Sequence, residues 1–177
     1  MTAAPGILYT IGHSTHAADA FVALLQAHGV RQLADVRRFP ASRRHPQFHK
    51  DALAASLADV GIEYRHFPEL GGMRRPRSDS VNTAWQQSGF RGYADYMQTP
   101  AFEAGLEALL SFAAEGPTAV MCAEAVWWRC HRKLLADAVL ARGVPVRHIL
   151  TAAEPKLHEL SDFASVKQGK VTYPGLL

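Results

Sequence analysis

A chain of 177 residues that is 48% hydrophobic and 20% charged, with a formal net charge of +3, has the composition of an ordinary globular protein. Disordered, collagen-like and coiled-coil classes are thereby excluded, the length predicts one compact domain over residues 1–177, and no run of about 18 apolar residues exists to span a bilayer. Two cysteines cannot make a disulfide framework and point to a reducing, cytoplasmic setting, and Met1 to Pro5 lacks the basic and apolar regions of a secretory signal.

In chain order, Ile7 to Ile11 reads as a short buried strand. Phe21, Leu24, Leu25 and His28 then recur at helical spacing. Ser14 and Thr15 are the N-cap candidates of that helix, and Gly29 is its stop. Gln32 to Val36 is the second strand; Leu53, Leu57 and Val60 mark a helix ending at Gly61, followed by a strand from Ile62 to Phe67. The stretch from Pro68 to Pro100 breaks the alternation with Gly71-Gly72, a basic run from Met73 to Arg77 and a short helix near Tyr93 to Met97, so residues 68–100 are expected as a lid-like insertion. Phe102, Leu106, Leu109, Leu110 and Ala113 fall on one helical face before the apolar strand Thr118 to Cys122. Leu134, Leu135, Ala138 and Val139 define a last helix, Gly143 its stop, and Val146 to Leu150 a fifth strand. A short helix near Lys156 to Leu160 and an irregular tail are expected within residues 151–177. Alternating strands and helices predict a three-layer α/β domain, with a mostly parallel five-stranded sheet and helices on both faces.

Charge is uneven along the chain. Residues 31–77 hold ten Lys or Arg against five acids, and the rest of the chain is net negative. Fourteen of the 19 basic residues are Arg, whose planar fork suits bidentate contact with carboxylate or phosphate, although a solvated Arg-rich surface explains the count equally well.

In a parallel sheet, ligands bind beyond the carboxyl ends of the strands. Those ends carry Gly12-His13-Ser14, Asp35-Val36-Arg37-Arg38, Pro68-Glu69-Leu70-Gly71-Gly72 and Cys122-Ala123-Glu124. The densest chemistry lies between Cys122 and Arg132, with Cys130, His131 and Arg132 expected in the first turn of the following helix. A thiol at a helix N-terminus beside cations has a lowered pKa and is a better nucleophile, whereas two buried cysteines simply filling the core is the plainer reading. A phosphatase-type loop fails by one residue, because Arg129 follows Cys122 after six intervening positions. Zinc would need His13 or Glu124 to complete a site around two cysteines separated by seven residues. Asp35 and Arg37 alternate, so they point to one side, either as an ion pair that fixes the loop or as an acid/base carboxylate with an anion clamp. Trp127 and Trp128 either pack against the 68–100 segment or stack on a planar ligand.

Thr10-Ile-Gly-His-Ser14, Asp35-Val-Arg37 with Pro40 and Ser42, Leu70-Gly-Gly72, Cys122-Ala-Glu124 and Cys130-His-Arg132 together resemble the domain-of-unknown-function family numbered 488. The resemblance runs from about Tyr9 to Leu150 and implies an α/β fold and a bacterial-type cytoplasmic protein, without an established reaction. Family members often carry a more polar stretch where this chain has Ala125-Val-Trp-Trp128. Three functions are open, the plainest being a regulatory or interaction protein in which the Cys-His-Arg cluster is structural; the other two carry chemistry or binding. In the first, an enzyme uses Glu124, Cys130, His131 and Asp35 as catalytic groups, and His13, Ser14, Arg37, Arg132 and Cys122 to bind a phosphorylated or nucleotide-like substrate. In the second, a non-catalytic module, linked to DNA repair by loose family labels, binds nucleic acid through Arg37, Arg38, Arg43, Arg44, Arg74, Arg75 and Arg77. No cofactor or metal is assigned, and no membrane partner is expected.

Overall fold

A computed structural model describes residues 6–175; the reading of Met1 to Pro5 lies outside them. The elements are β1 (Leu8–Gly12), α1 (Ala18–Ala27), β2 (Gln32–Asp35), α2 (Lys50–Ala58), β3 (Glu63–His66), α3 (Ser88–Tyr96), α4 (Pro100–Ala113), β4 (Thr118–Cys122), α5 (Arg132–Ala141), β5 (Val146–His148), β6 (Lys156–Leu157), β7 (Ser165–Lys167) and β8 (Lys170–Thr172). The main sheet runs β3-β2-β4-β1-β5-β6. Its first five strands are parallel, and β6 is antiparallel to β5. The α/β architecture is thus the expected one with a sixth strand added. From β1 the chain winds outward to β2 and β3, then returns to insert β4 between β1 and β2, so the winding reverses beside β4. Such a reversal leaves a crevice at the carboxyl edge. In register there, Gly12 lies opposite Cys122 and Asp35 opposite Met121.

All five residues of β4 are buried, as a central strand covered on both faces requires. Its side chains alternate between two cores: Ala119 and Met121 join Phe21, Leu25, Leu53 and Leu57 on the side of α1 and α2. Val120 and Cys122 join Tyr93, Phe102, Leu109, Leu134 and Leu135 on the side of α3, α4 and α5. Gly29, Gly61 and Gly143 stand at φ 69°, 77° and 85°, so each helix does turn into the next strand through the left-handed conformation that glycine tolerates.

Three local expectations are corrected. Ser14 does not cap α1, which begins at Ala18 with Ala17 as an N-cap that makes no side-chain bond. Instead, the amides of His13 and Ser14 continue the ladder onto the carbonyls of Cys122 and Ala123, which delays the helix. The stretch near Lys156 to Leu160 is not helical: Lys156 and Leu157 pair with His148 and Arg147 at the sheet edge. The tail is not wholly irregular either, since β7 and β8 form a hairpin that places Val171 and Tyr173 in the core. Residues 68–100 are tied down along their length. The Tyr93 hydroxyl donates to the Leu70 carbonyl, and Asp95 accepts from the Arg77 amide, the Ser80 hydroxyl and the Asn82 amide group. No helix among the described residues is long and apolar enough to cross a membrane.

Candidate functional site

At the carboxyl edge of β1 and β4 lies a cavity of about 320 Å³, lined by His13, Arg37, Cys122, Glu124, Cys130 and His131, with Arg38, Phe39, Ser42, Gly72 and Met73 at its other walls. Two close backbone approaches build it. A Cβ on Gly12 would stand 1.6 Å from the Glu124 carbonyl oxygen, and one on Gly71 would stand 2.6 Å from the Cβ of Arg38. Glycine at these positions lets the loop after β4 cross β1 and lets the 68–72 turn close against the loop after β2.

The Asp35 carboxylate is wholly buried and does not face the cavity. It accepts from Nε and Nη2 of Arg37 at 2.9 and 2.7 Å, from the Arg37 amide at 3.1 Å and from the Tyr64 hydroxyl. Burial, then the bond to Asp35, raises the Tyr64 pKa, so the phenol remains a donor. Two of Arg37's three nitrogens are thereby used, and Nη1 remains directed at Nε2 of His13, 3.4 Å away. His13 donates through Nδ1 to the Ser14 carbonyl and stacks on Phe48. Its tautomer is therefore fixed with the lone pair on Nε2 toward Arg37. Burial, with the Arg37 charge, lowers the His13 pKa to about 4 and keeps the ring neutral. Ser14 contributes this carbonyl and the amide that donates to Ala123, and its side chain is not part of the cavity wall.

On the opposite wall, Cys130 Sγ lies 2.7 Å from Cys122 Sγ and 3.6 Å from Nδ1 of His131. Both cysteines are free. Burial pushes the Cys122 thiol up, and its hydrogen bond to Cys130 adds to this, making it the proton-bearing partner. For Cys130 burial acts upward too, but the bond from Cys122 and the neighbouring His131 and Arg132 outweigh it and hold the thiol well below its ordinary value. The Arg132 amide also points at Cys130 Sγ, at 3.5 Å. His131 packs against Tyr93, and its Nε2 is buried with no partner.

Arg132 and Glu124 take roles that their side-chain types do not announce. The Glu124 carboxylate is exposed at the rim, while its carbonyl accepts from Nη2 of Arg132 at 2.6 Å. Arg132 is 1% exposed and lies under the cavity rather than in its wall. It heads a buried chain in which acceptor-only Asp137 fixes every hydrogen. Arg132 Nη1 donates to Thr10 Oγ1, Thr10 to His148 Nδ1, His148 Nε2 to His158 Nδ1, and His158 Nε2 to Asp137 Oδ1. Ser161 and Tyr173 donate to the other carboxylate oxygen. Trp127 is half-buried and stacks on His148 with centroids 4.1 Å apart, whereas Trp128, edge-on to Trp127, is 45% exposed. Thr10 lies within a motif, but Asp137, His148 and His158 carried no local signal, because they meet only through the fold.

The basic residues are dispersed in use. Arg38 donates to the Met73 carbonyl, Arg74 lies over the Tyr96 ring and donates to the Gly71 carbonyl, and Arg77 pairs with Asp79. Arg43, Arg44 and Arg75 are exposed. Among the described residues, no three His, Cys, Asp or Glu side chains are grouped to hold a metal ion.

No curated protein matches the chain, and no solved structure does. The family model for the domain of unknown function DUF488 matches residues 17–139, from the start of α1 to near the end of α5 and through both cysteines, and the chain belongs to that family.

Proposed function

We propose that this cavity is the active site of a thiol-dependent enzyme acting on a small anionic substrate of the phosphorylated or nucleotide-like class. Cys130 is the nucleophile. The observation that carries the reading is the position of its Sγ in the cavity wall, between the Cys122 thiol and the His131 imidazole. A thiolate held by a donor thiol and a ring nitrogen is an activated nucleophile, and the same ring can carry a proton to or from the leaving group. Arg37 Nη1 and Arg38 supply donors on the facing wall for the anionic group. Asp35 already neutralises Arg37, so this recognition works through directed hydrogen bonds more than through surplus charge. Asp35 and Arg132 are positioning residues: one holds the Arg37 fork, the other the Glu124 carbonyl. The volume sits at the small end of ligand pockets, which favours a compact substrate.

An extended nucleic-acid footprint has less support. Arg37 is buried in its pair with Asp35, Arg74 and Arg77 have partners within the protein, and Trp127 is stacked on His148, which leaves Arg43, Arg44, Arg75 and Trp128 as the exposed groups of that reading.

Alkylation of the native protein tests the enzyme reading with two probes that differ in charge. Cys130 is expected to react below pH 7 faster than a free thiol. Iodoacetate is expected to gain on neutral iodoacetamide relative to their ratio on that free thiol, and Arg38→Ala to reduce the gain. If both thiols stay unreactive until the protein unfolds, there is no thiol chemistry at this site.

A further inference from the structure

The mechanism above uses one sulfur and leaves the other as a hydrogen-bond donor. Yet Cys122 ends β4, and Cys130, rather than entering the first turn of α5 as the sequence suggested, closes the single turn Trp127–Arg129 two residues before that helix, so the loop between β4 and α5 returns the second thiol to the first. Their sulfurs are 2.7 Å apart against a disulfide bond length of about 2.0 Å. Both line the cavity, although only 3% and 6% of their surfaces are exposed. A bulky disulfide-bearing protein therefore cannot reach them, whereas a molecule of a few atoms can. We propose that Cys122 and Cys130 form a dithiol couple that reduces small hydroperoxides, with Cys130 attacking and Cys122 resolving. The proposal rests on the reading of Cys130 as the activated thiol, and adds an activity that a single nucleophile does not have.

The Cys130 thiolate attacks one peroxide oxygen; the O–O bond breaks, an S–O bond forms, and the leaving oxygen departs as water or alcohol after taking a proton, which the His131 ring, 3.6 Å from Cys130 Sγ, is placed to give. Cys130 is then a sulfenic acid, oxidised by two electrons. Cys122 attacks that sulfur, the S–O bond breaks, hydroxide leaves with the Cys122 proton as water, and an intramolecular disulfide remains. A small external dithiol returns two electrons and two protons to close the cycle. While the disulfide stands, Cys130 is also withdrawn from any other substrate.

The test treats the reduced native protein with one equivalent of hydrogen peroxide and a chelator, then maps its cysteines by mass spectrometry. The expected product is a Cys122–Cys130 disulfide, lighter by two hydrogens, reversed by dithiothreitol and formed faster than a free thiol consumes peroxide. Cys122→Ser should stop at a dimedone-reactive sulfenic acid on Cys130, and Cys130→Ser should consume peroxide no faster than a free thiol. The wild-type product itself needs no variant to fold. If Cys130 takes iodoacetate readily but peroxide produces no internal disulfide, the couple is overturned and the nucleophile reading stands. If Cys130 resists both reagents in the folded protein, both readings fall.

Discussion

Asp35 illustrates how much one side chain can hold. Its carboxylate receives three donors from Arg37 and one from Tyr64 with no access to water. Asp35→Asn would leave the guanidinium buried without its counter-charge, and breaking one side of a buried ion pair costs about 3–5 kcal/mol. We expect a loss of unfolding free energy of that order, read from urea denaturation. Tyr64→Phe, which leaves the ion pair intact and removes one donor, should cost about 1–2 kcal/mol. An Asp35→Asn protein as stable as the parent would contradict the pairing. The strand alternation of Asp35 and Arg37 made their shared side legible in the sequence. Tyr64 and His13 were not legible as their partners, because each arrives on another strand, and the pairing exists only once β1, β2 and β3 are in register.

Among the elements, the loop between β4 and α5 depends on Gly12 more than on any residue of its own. Gly12→Ala would drive a methyl group into the Glu124 carbonyl, displacing the acceptor that Arg132 holds and opening the wall that contains Cys130. The expected result is a clear drop in Tm together with altered Cys130 alkylation. Gly61→Ala is the control: it has nothing within 4 Å but a φ of 77°, so it should cost only about 1 kcal/mol and leave alkylation unchanged. Equal effects from the two would refute the close-approach account. The three helix-glycine-strand junctions could be read from the chain because they depend on neighbours in sequence. The strand β6 could not, since its conformation is decided by the open edge of β5. The start of α1 was misplaced for the same kind of reason, its expected cap being drawn into the ladder with β4.

Across the whole molecule, buried neutral histidines set the response to acid. His13 is held down to about 4 by burial foremost, with Arg37 adding to it, and His148 to about 2 by burial and then by His158 and Arg132. Both must protonate near 6.5 once unfolded, so below that pH the unfolded chain binds more protons than the folded one. Stability is therefore full above about pH 6.5 and falls as pH drops. The His13 contribution levels off near 4, while that of His148 continues toward 2. Each contributes a slope of up to about 1.4 kcal/mol per pH unit in its window. Urea midpoints should decline from pH 7 to 4.5, and His13→Asn should flatten that decline; a flat wild-type profile would show that these rings are not held neutral.

The hydrogen-bond chain from Arg132 to Asp137 also sets a boundary. The family match ends at residue 139, but His148, His158, Ser161 and Tyr173, which complete the chain, all lie after it. A protein shortened to end at Leu150 would leave Asp137 without the four donors of His158, Ser161 and Tyr173, and Tyr173 missing from the core, and we expect it to be recovered only unfolded or aggregated. The unit that has to be inherited, expressed or transplanted in one piece is therefore longer than the unit by which its kinship is recognised. Variation between residues 151 and 175 is constrained by a cavity that none of these described residues lines.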